Sequence, residues 1–195
     1  MSREERRGRL LDAAIALLEA NGPGAVTMER LAERAGVSKP VVYDHFANRT
    51  QLVLAVLART WAEIDTEIAA RAAASATPAE RILGTFQALL DSGARQGPNV
   101  RALVDSVSAD PEVEQARRAR WREKEATFAA GLERNLGMAP ATAAAAAATL
   151  QAAMFGAVAH ARSSPEAAKV AADVYTTTVL ATLGVLSGRA GRDQS

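Results

Sequence analysis

The chain has no cysteine, only two histidines, and few aromatic side chains, 4% of 195 residues. Each shortage closes off a class of chemistry. Without cysteine there is no disulfide, no thiolate metal site and no thiol nucleophile. His45 and His160 stand far apart in the sequence, so no histidine-based metal or nucleophile constellation is legible. No glycine-rich phosphate loop appears either, since Gly22-Pro23-Gly24 makes a turn ahead of Thr27 rather than a cradle. Catalysis is not expected, and neither is a metal or any other cofactor. An excess of charge is also lacking. The formal net charge is +1; residues 1–50 carry eight Lys/Arg against seven Asp/Glu, and the remainder carries fifteen of each. Bulk basicity thus gives no reason to expect a polyanionic partner, and any such argument has to be local.

Alternating apolar and polar residues bounded by turns are missing, which speaks against strands. What is present is a composition 49% hydrophobic and rich in alanine, which favours helices. Two segments invite a membrane reading. The start, RRGRLLDAAIALLEANG over residues 6–22, faintly resembles a signal segment, but Asp12 interrupts the apolar run, Glu19 follows it, and the period is amphipathic. Residues 135–159 lack any charged side chain, yet much of the run is alanine, with Asn135 and Gln151 inside it. A buried helix of a soluble, cytoplasmic protein is expected there, with no membrane partner.

The densest local signals lie in TMERLAERAGVSKPVVYDHFANRTQLVLAVL, residues 27–57. Thr27 is an N-cap candidate with Glu29 in the first turn, and Arg30 stands where a capping box wants Glu or Gln. Leu31 and Ala35 share one face with Met28 and Ala32. Gly36 supplies the left-handed residue that ends this helix, and Val37 plugs the angle that follows. Ser38 is the next N-cap candidate, with Pro40 in the first turn. A second helix is predicted to about Phe46, with Val42 and Phe46 inward and Ser38, Lys39, Val41, Tyr43 and His45 partly or wholly outward. Asn48 with Gln51 forms a capping-box pattern for a third helix, predicted to about Ala74. Arg49 at its first position opposes the helix dipole, a conflict that a phosphate relieves. Two short helices around a glycine turn are the layout of a helix-turn-helix, whose second helix enters the DNA major groove.

Thr27, Leu31, Ala32, Ala35, Gly36, Val37, Ser38, Tyr43, Phe46 and Leu52, in one register, make this run resemble the DNA-binding domain of the TetR/AcrR family of bacterial transcriptional regulators. The preceding helix, Arg3 to Ala20 with Leu10, Ala14, Leu17 and Leu18 on one face, fits as well. The remainder matches only in length and helical character. The resemblance implies phosphate contacts from Thr27, Tyr43, His45 and Arg49. It implies that Ser38, Lys39, Pro40, Val41 and Asp44 face base edges, with Lys39 donating to guanine and Val41 touching a thymine methyl. Arg49 replaces the lysine usual in the family. Asp44, acidic beside a polyanion, either accepts from cytosine or pairs with Arg49 in the free protein. Arg3, Arg6, Arg7 and Arg9 form a basic N-terminal arm within reach of a groove or phosphates.

Proline and glycine punctuation predicts further helices at about 78–95, 99–107, 111–135, 140–161 and 165–187, nine in all. Thr77 to Glu80 reads as a capping box, and Asp110-Pro111 and Ser164-Pro165 repeat a cap-then-proline pattern. The fold class is all-α: a DNA-binding domain over 1–47, a helical ligand-binding and dimerisation domain over 48–187, and a disordered tail over 188–195. The run Ala143–Ala148 with Leu150, Met154 and Val158, and the stripe Val170, Val174, Ala181 and Val185, mark the last two helices as a homodimer interface. They serve equally to finish the subunit's own core. The resemblance further implies a dimer on a palindromic operator, most often as a repressor, released when a small molecule binds the C-terminal domain. Trp61, Phe86, Trp121, Phe128, Met154, Phe155 and His160 are the candidate pocket residues, and their sparse charge suggests an apolar effector. The alternative is a helical small-molecule-binding or protein-interaction module without operator binding.

Overall fold

A computed structural model describes residues 2–107 and 109–190. Among these residues there are no strands. The helices are α1 (Arg3–Asn21), α2 (Met28–Ala35), α3 (Lys39–Tyr43), α4 (Arg49–Ala74), α5 (Pro78–Asp105), α6 (Pro111–Leu136), α7 (Pro140–Ala161) and α8 (Pro165–Ala190), with a 3-10 turn at Pro23–Ala25. The all-α class is as expected, and most boundaries fall within a few residues of their caps. Ser2 and Glu5 form a reciprocal box at α1. Thr77 and Glu80 do the same at α5, where the Glu80 N–H donates to Thr77 Oγ1 at 3.2 Å and the Thr77 N–H to Glu80 Oε2 at 3.1 Å. Asp110 caps α6 and Ser164 caps α8 through N–H bonds from Glu112 and Ala167.

One predicted break does not occur. Gly97-Pro98 was expected to separate two helices, but α5 runs through it from Pro78 to Asp105. A proline inside a helix costs about 3 kcal/mol. Both flanks of α5 are anchored, Phe86 and Ala88 on one side and Leu103 on the other, all 0% exposed. Full burial of a large apolar side chain contributes about 1.5–3 kcal/mol, which offsets the proline. The ninth helical element is therefore the short 3-10 turn rather than a separate helix at 99–107.

The chain divides into two compact units: Met1–Asp65 with Ser92–Arg117, and Thr66–Asp91 with Arg118–Ser195. The boundary expected at 47/48 does not coincide with this division, because α4 and α5 each contribute to both units. The core of the first unit gathers Leu10, Leu18, Leu31, Val42, Phe46, Leu52, Leu103 and Val113 from six helices and the segment after α3. The second unit holds two clusters, one built on Phe86, Leu150, Tyr175 and Val179 and the other on Ala129, Leu132, Ala143 and Ala147. Residues 188–190, expected in a tail, belong to α8, which extends to Ala190; the rest of that expectation, residues 191–195, lies outside the described residues.

Helix α8 has two apolar faces. Ala171, Tyr175 and Val179, four apart, point into the second unit's core, whereas Val170, Val174, Ala181 and Val185 are exposed. In α7 the predicted stripe of Leu150, Met154 and Val158 turns inward, and the outward face carries Phe155 among small residues. By length and composition Pro140–Ala161 and Pro165–Leu186 are apolar enough to cross a membrane, with mean hydropathy 1.4 and 1.2. Core helices of soluble proteins pass the same test, but burial here is partial, 33% and 17%. The expected buried helix is thus half right: one face is buried and the other is not.

Candidate nucleic-acid interface

The local chemistry of residues 22–52 sets the position of α3. Gly22 turns the chain out of α1, and Thr27 caps α2 by accepting from the Arg30 N–H at 3.2 Å. At the other end of α2, Gly36 adopts φ 66° and ψ 33°. Its N–H reaches the Glu33 carbonyl, and the Val37 N–H reaches the Ala32 carbonyl at 3.0 Å. This paired closure satisfies two otherwise free carbonyls and needs a left-handed residue, which glycine supplies without strain.

Helix α3 is only five residues long and ends before Phe46, the limit expected for it. The Asp44 and Phe46 N–H groups still bond back to Pro40 and Val42, so one more turn follows. Ser38 occupies the N-cap position but makes no side-chain capping bond, contrary to its expected capping role. Val42 and Phe46 are 0% and 1% exposed. They anchor the outward face, where Ser38, Lys39, Pro40, Asp44 and Tyr43 are exposed, Tyr43 at 49%. Thr27, Val41, His45 and Arg49 are half-buried.

The cations near this face are committed to different degrees. All four N-terminal arginines lie on α1, which begins at Arg3, rather than on an extended arm. Arg3 Nη2 donates to the Asp44 carbonyl at 3.1 Å, closing the end of α3. The Arg7 guanidinium lies 5.0 Å from the Phe46 ring centroid, within range for a cation–π contact. Arg49 is also committed: Nε donates to the Val26 carbonyl at 3.0 Å, and Nη2 to the Pro23 carbonyl and to Ser106 Oγ. The Asp44–Arg49 pair expected as one alternative does not form. Arg49 instead ties the turn before α2 to the start of α4. At that start Asn48 accepts the Gln51 N–H at 2.9 Å, but the Gln51 side chain bonds Glu112 instead of closing a box. Thr50 similarly donates to Asp110 at 2.7 Å.

Lys39 is paired with Glu29 at 3.4 Å, both side chains half-exposed. Glu29's own backbone N–H bond, and then Lys39, hold its carboxyl below the usual carboxylate range. An exposed pair of this kind is worth little and exchanges readily, so Lys39 remains available to another acceptor. His45 has a buried Nδ1 without a hydrogen-bond partner. Burial first, and then the charges of Arg3, Arg6 and Arg7, push its pKa below the ordinary histidine value, partly countered by Asp44. Sequence reading put Arg3 and Arg7 on a basic arm and Glu29 in the first turn of α2, but not their contacts with the Asp44 carbonyl, the Phe46 ring and Lys39. The spacing of Glu29 and Lys39, ten apart across a turn, is the one signal that was readable.

The candidate pocket residues do not act alike. Trp61 packs on the core of the first unit. In the second unit Phe86 stacks on Tyr175 with centroids 5.7 Å apart, and Phe128 and Met154 pack partly buried on the core clusters. Trp121 and Phe155 meet at 4.7 Å and are half-exposed. His160 is exposed, its carbonyl accepting from Ser163. Tyr175, not anticipated, donates its hydroxyl to the Leu150 carbonyl at 3.2 Å, and burial raises its pKa to about 12. No group of three or more His, Cys, Asp or Glu suited to a metal occurs among the described residues.

Comparison with known proteins places this geometry in a class. Residues 10–56 match the model of bacterial regulatory proteins of the tetR family. Over 59 residues the chain is 51% identical to the transcriptional activator FasR of Mycolicibacterium smegmatis, covering 30% of this chain and 27% of that protein. Over 81 residues it is 36% identical to the transcriptional repressor KstR of Mycobacterium tuberculosis, covering 42% and 37%. These alignments span well under half of the relatives' length. The fold as a whole matches a transcriptional regulator from Rhodococcus at TM-score 0.70 and 22% identity, covering 90% of this chain and 96% of that one. The N-terminal segment, residues 10–56, thus matches the tetR family of bacterial regulatory proteins, and the fold as a whole is the one seen in the solved regulators it resembles.

Two outcomes follow from the committed side chains. Arg49→Ala leaves the Val26 and Pro23 carbonyls without their donor and lowers unfolding stability by about 1–3 kcal/mol, read by chemical denaturation. An unchanged midpoint would show that Arg49 is not a structural tie. His45 is neutral at pH 7, with an NMR titration midpoint below about 6.5. Its folded pKa is depressed, so the stability linked to the neutral ring is present above the ordinary value and lost as pH falls through the window beneath it. Arg3→Ala raises the midpoint, and a midpoint at or above the ordinary value contradicts the burial argument.

Proposed function

We propose that the chain is a DNA-binding transcriptional regulator that occupies a palindromic operator as a homodimer, represses from it, and is released by a small apolar molecule. The observation that carries this reading is α3: a short helix anchored by Val42 and Phe46, with Lys39 and Tyr43 presented to solvent. Lys39, Ser38, Pro40, Val41 and Asp44 face base edges, while Tyr43, Thr27 and His45 meet phosphates. Arg49 keeps at most a secondary phosphate role beside its structural one. The relatives include a named activator and a named repressor, so similarity does not set the sign of regulation. Repression follows most simply from occupancy, because a dimer on promoter DNA excludes other proteins from it. Such a regulator works in the bacterial cytoplasm, where the DNA is.

The exposed stripe Val170, Val174, Ala181 and Val185 supports the dimer. An apolar stripe of this length on a helix whose other face completes the core calls for a partner surface. The small residues of α7 allow close approach of a second copy, in a two-fold four-helix contact. Two copies of α3 then read half-sites about 34 Å apart, one turn of DNA. The apolar, aromatic interior around Phe86, Tyr175, Phe128 and Met154 is the proposed receptor for the effector. Binding there and at the operator weaken each other reciprocally if they favour different dimer geometries.

Selection of bound fragments from random duplex DNA, with the full chain at near-physiological salt, tests the reading. It should recover an inverted repeat; salt-sensitive fragments with no shared motif would refute operator binding. On the recovered operator Lys39→Ala should relax one or two base positions by about 1–3 kcal/mol, whereas Tyr43→Ala weakens all sequences alike. A uniform loss from Lys39→Ala would remove it from base reading. Val174→Arg should convert the dimer to a monomer in analytical ultracentrifugation and abolish binding to the full repeat. A dimer that survives this change would place the interface elsewhere.

A further inference from the structure

We infer that Glu29 determines specificity by pairing with Lys39, which keeps that lysine off DNA phosphates and directs it to a base edge, a role that rests on the operator-binding reading above. Lys39 opens α3, and Glu29 stands in the first turn of α2. The two helices bring ammonium and carboxylate together at 3.4 Å, with the side chains 58% and 50% exposed. Both groups are therefore within reach of a ligand lying against α3.

The carboxylate is placed by α2 itself. Its own backbone N–H acts on it first, Lys39 next, and the Thr27 hydroxyl adds to them, so it is ionised at neutral pH. Thr27 Oγ1 accepts the Arg30 N–H, which leaves its O–H to donate to Glu29. The positive end of the helix dipole favours the same charge. The lysine, a compact charge on a flexible stem, comes to an acceptor already in position.

A lysine beside duplex DNA ordinarily finds a phosphate, and that contact carries no sequence information. A carboxylate next to the ammonium alters the choice. It repels phosphate oxygens from the neighbourhood of Lys39, whereas the neutral edge of guanine is not repelled in the same way. Glu29 occupies one N–H of the ammonium and leaves two, which matches the O6 and N7 acceptors of guanine. As an exposed pair it adds little to folding; its effect lies in the selection among acceptors.

The test compares full-length wild type, Glu29→Gln, Glu29→Asp, Lys39→Ala and the Glu29→Gln/Lys39→Ala double variant. Each is titrated, over a range of salt, with the selected operator, its single-base variants and a duplex of random sequence. Glu29→Gln should bind the random duplex about fivefold more tightly and steepen its salt dependence by about one phosphate contact. Operator affinity should change less, so the ratio of the two affinities falls and the base position read by Lys39 is relaxed. Glu29→Asp keeps the charge and should keep most of the ratio. Without Lys39, the effect of Glu29→Gln should largely vanish. Equal changes on both duplexes, no change on either, or an undiminished effect in the Lys39→Ala background would each overturn the role of Glu29. A wild-type chain with no preference for an inverted repeat would instead refute operator binding itself, and the role of Glu29 with it.

Discussion

A five-residue helix has no stability of its own, because helix nucleation is costly and one turn returns too few hydrogen bonds. The position of α3 therefore depends on burial of Val42 and Phe46 in a core built by α1, α2 and α4. The rest of the candidate interface follows from that constraint. With those two side chains inward, helical geometry puts Lys39 and Tyr43 outward. The glycine closure at Gly36 sets the angle at which the chain arrives, and Arg3 and Arg7 hold the far end through the Asp44 carbonyl and the Phe46 ring. The outward residues of α3 are left with few internal commitments, Lys39 being paired only with the exposed Glu29 among the described residues.

Charge is used economically in this unit. Several basic residues that a polyanion might attract are instead spent on the protein. Arg49 serves three oxygens drawn from separate segments, and Arg59 spans α1 and α4 through Asp12 and Glu63. Lys39 is held only by an exposed ion pair with Glu29. The near-neutral net charge, so unhelpful in composition, thus resolves into structural arginines and a small reactive surface.

The second unit shows a different economy. Its helices are rich in alanine, so close backbone approach substitutes for large side chains, and a few aromatics supply the interior. Tyr175 unites both roles, stacking on Phe86 while its hydroxyl satisfies the Leu150 carbonyl. Because α8 is apolar on two sides, composition alone cannot separate core from partner surface; the buried series Ala171, Tyr175 and Val179, spaced four apart, makes that separation.

The sequence by itself determined the helical class, nearly every helix start, the turn at Gly36 and the outward set on α3. The physical reason is range: caps, glycine closures and helical periodicity link residues two to five apart, so their signals survive in a linear string. Tertiary structure decided the rest. That α5 continues through Pro98 depends on anchors on either side of it. That Arg49 serves Val26, Pro23 and Ser106 rather than Asp44 depends on groups up to 57 residues away. The same distance in sequence hid Thr50 with Asp110, Gln51 with Glu112, and the facing sides of α8. Those choices belong to packing, where several helices compete to bury the same surface and only the folded arrangement says which face wins.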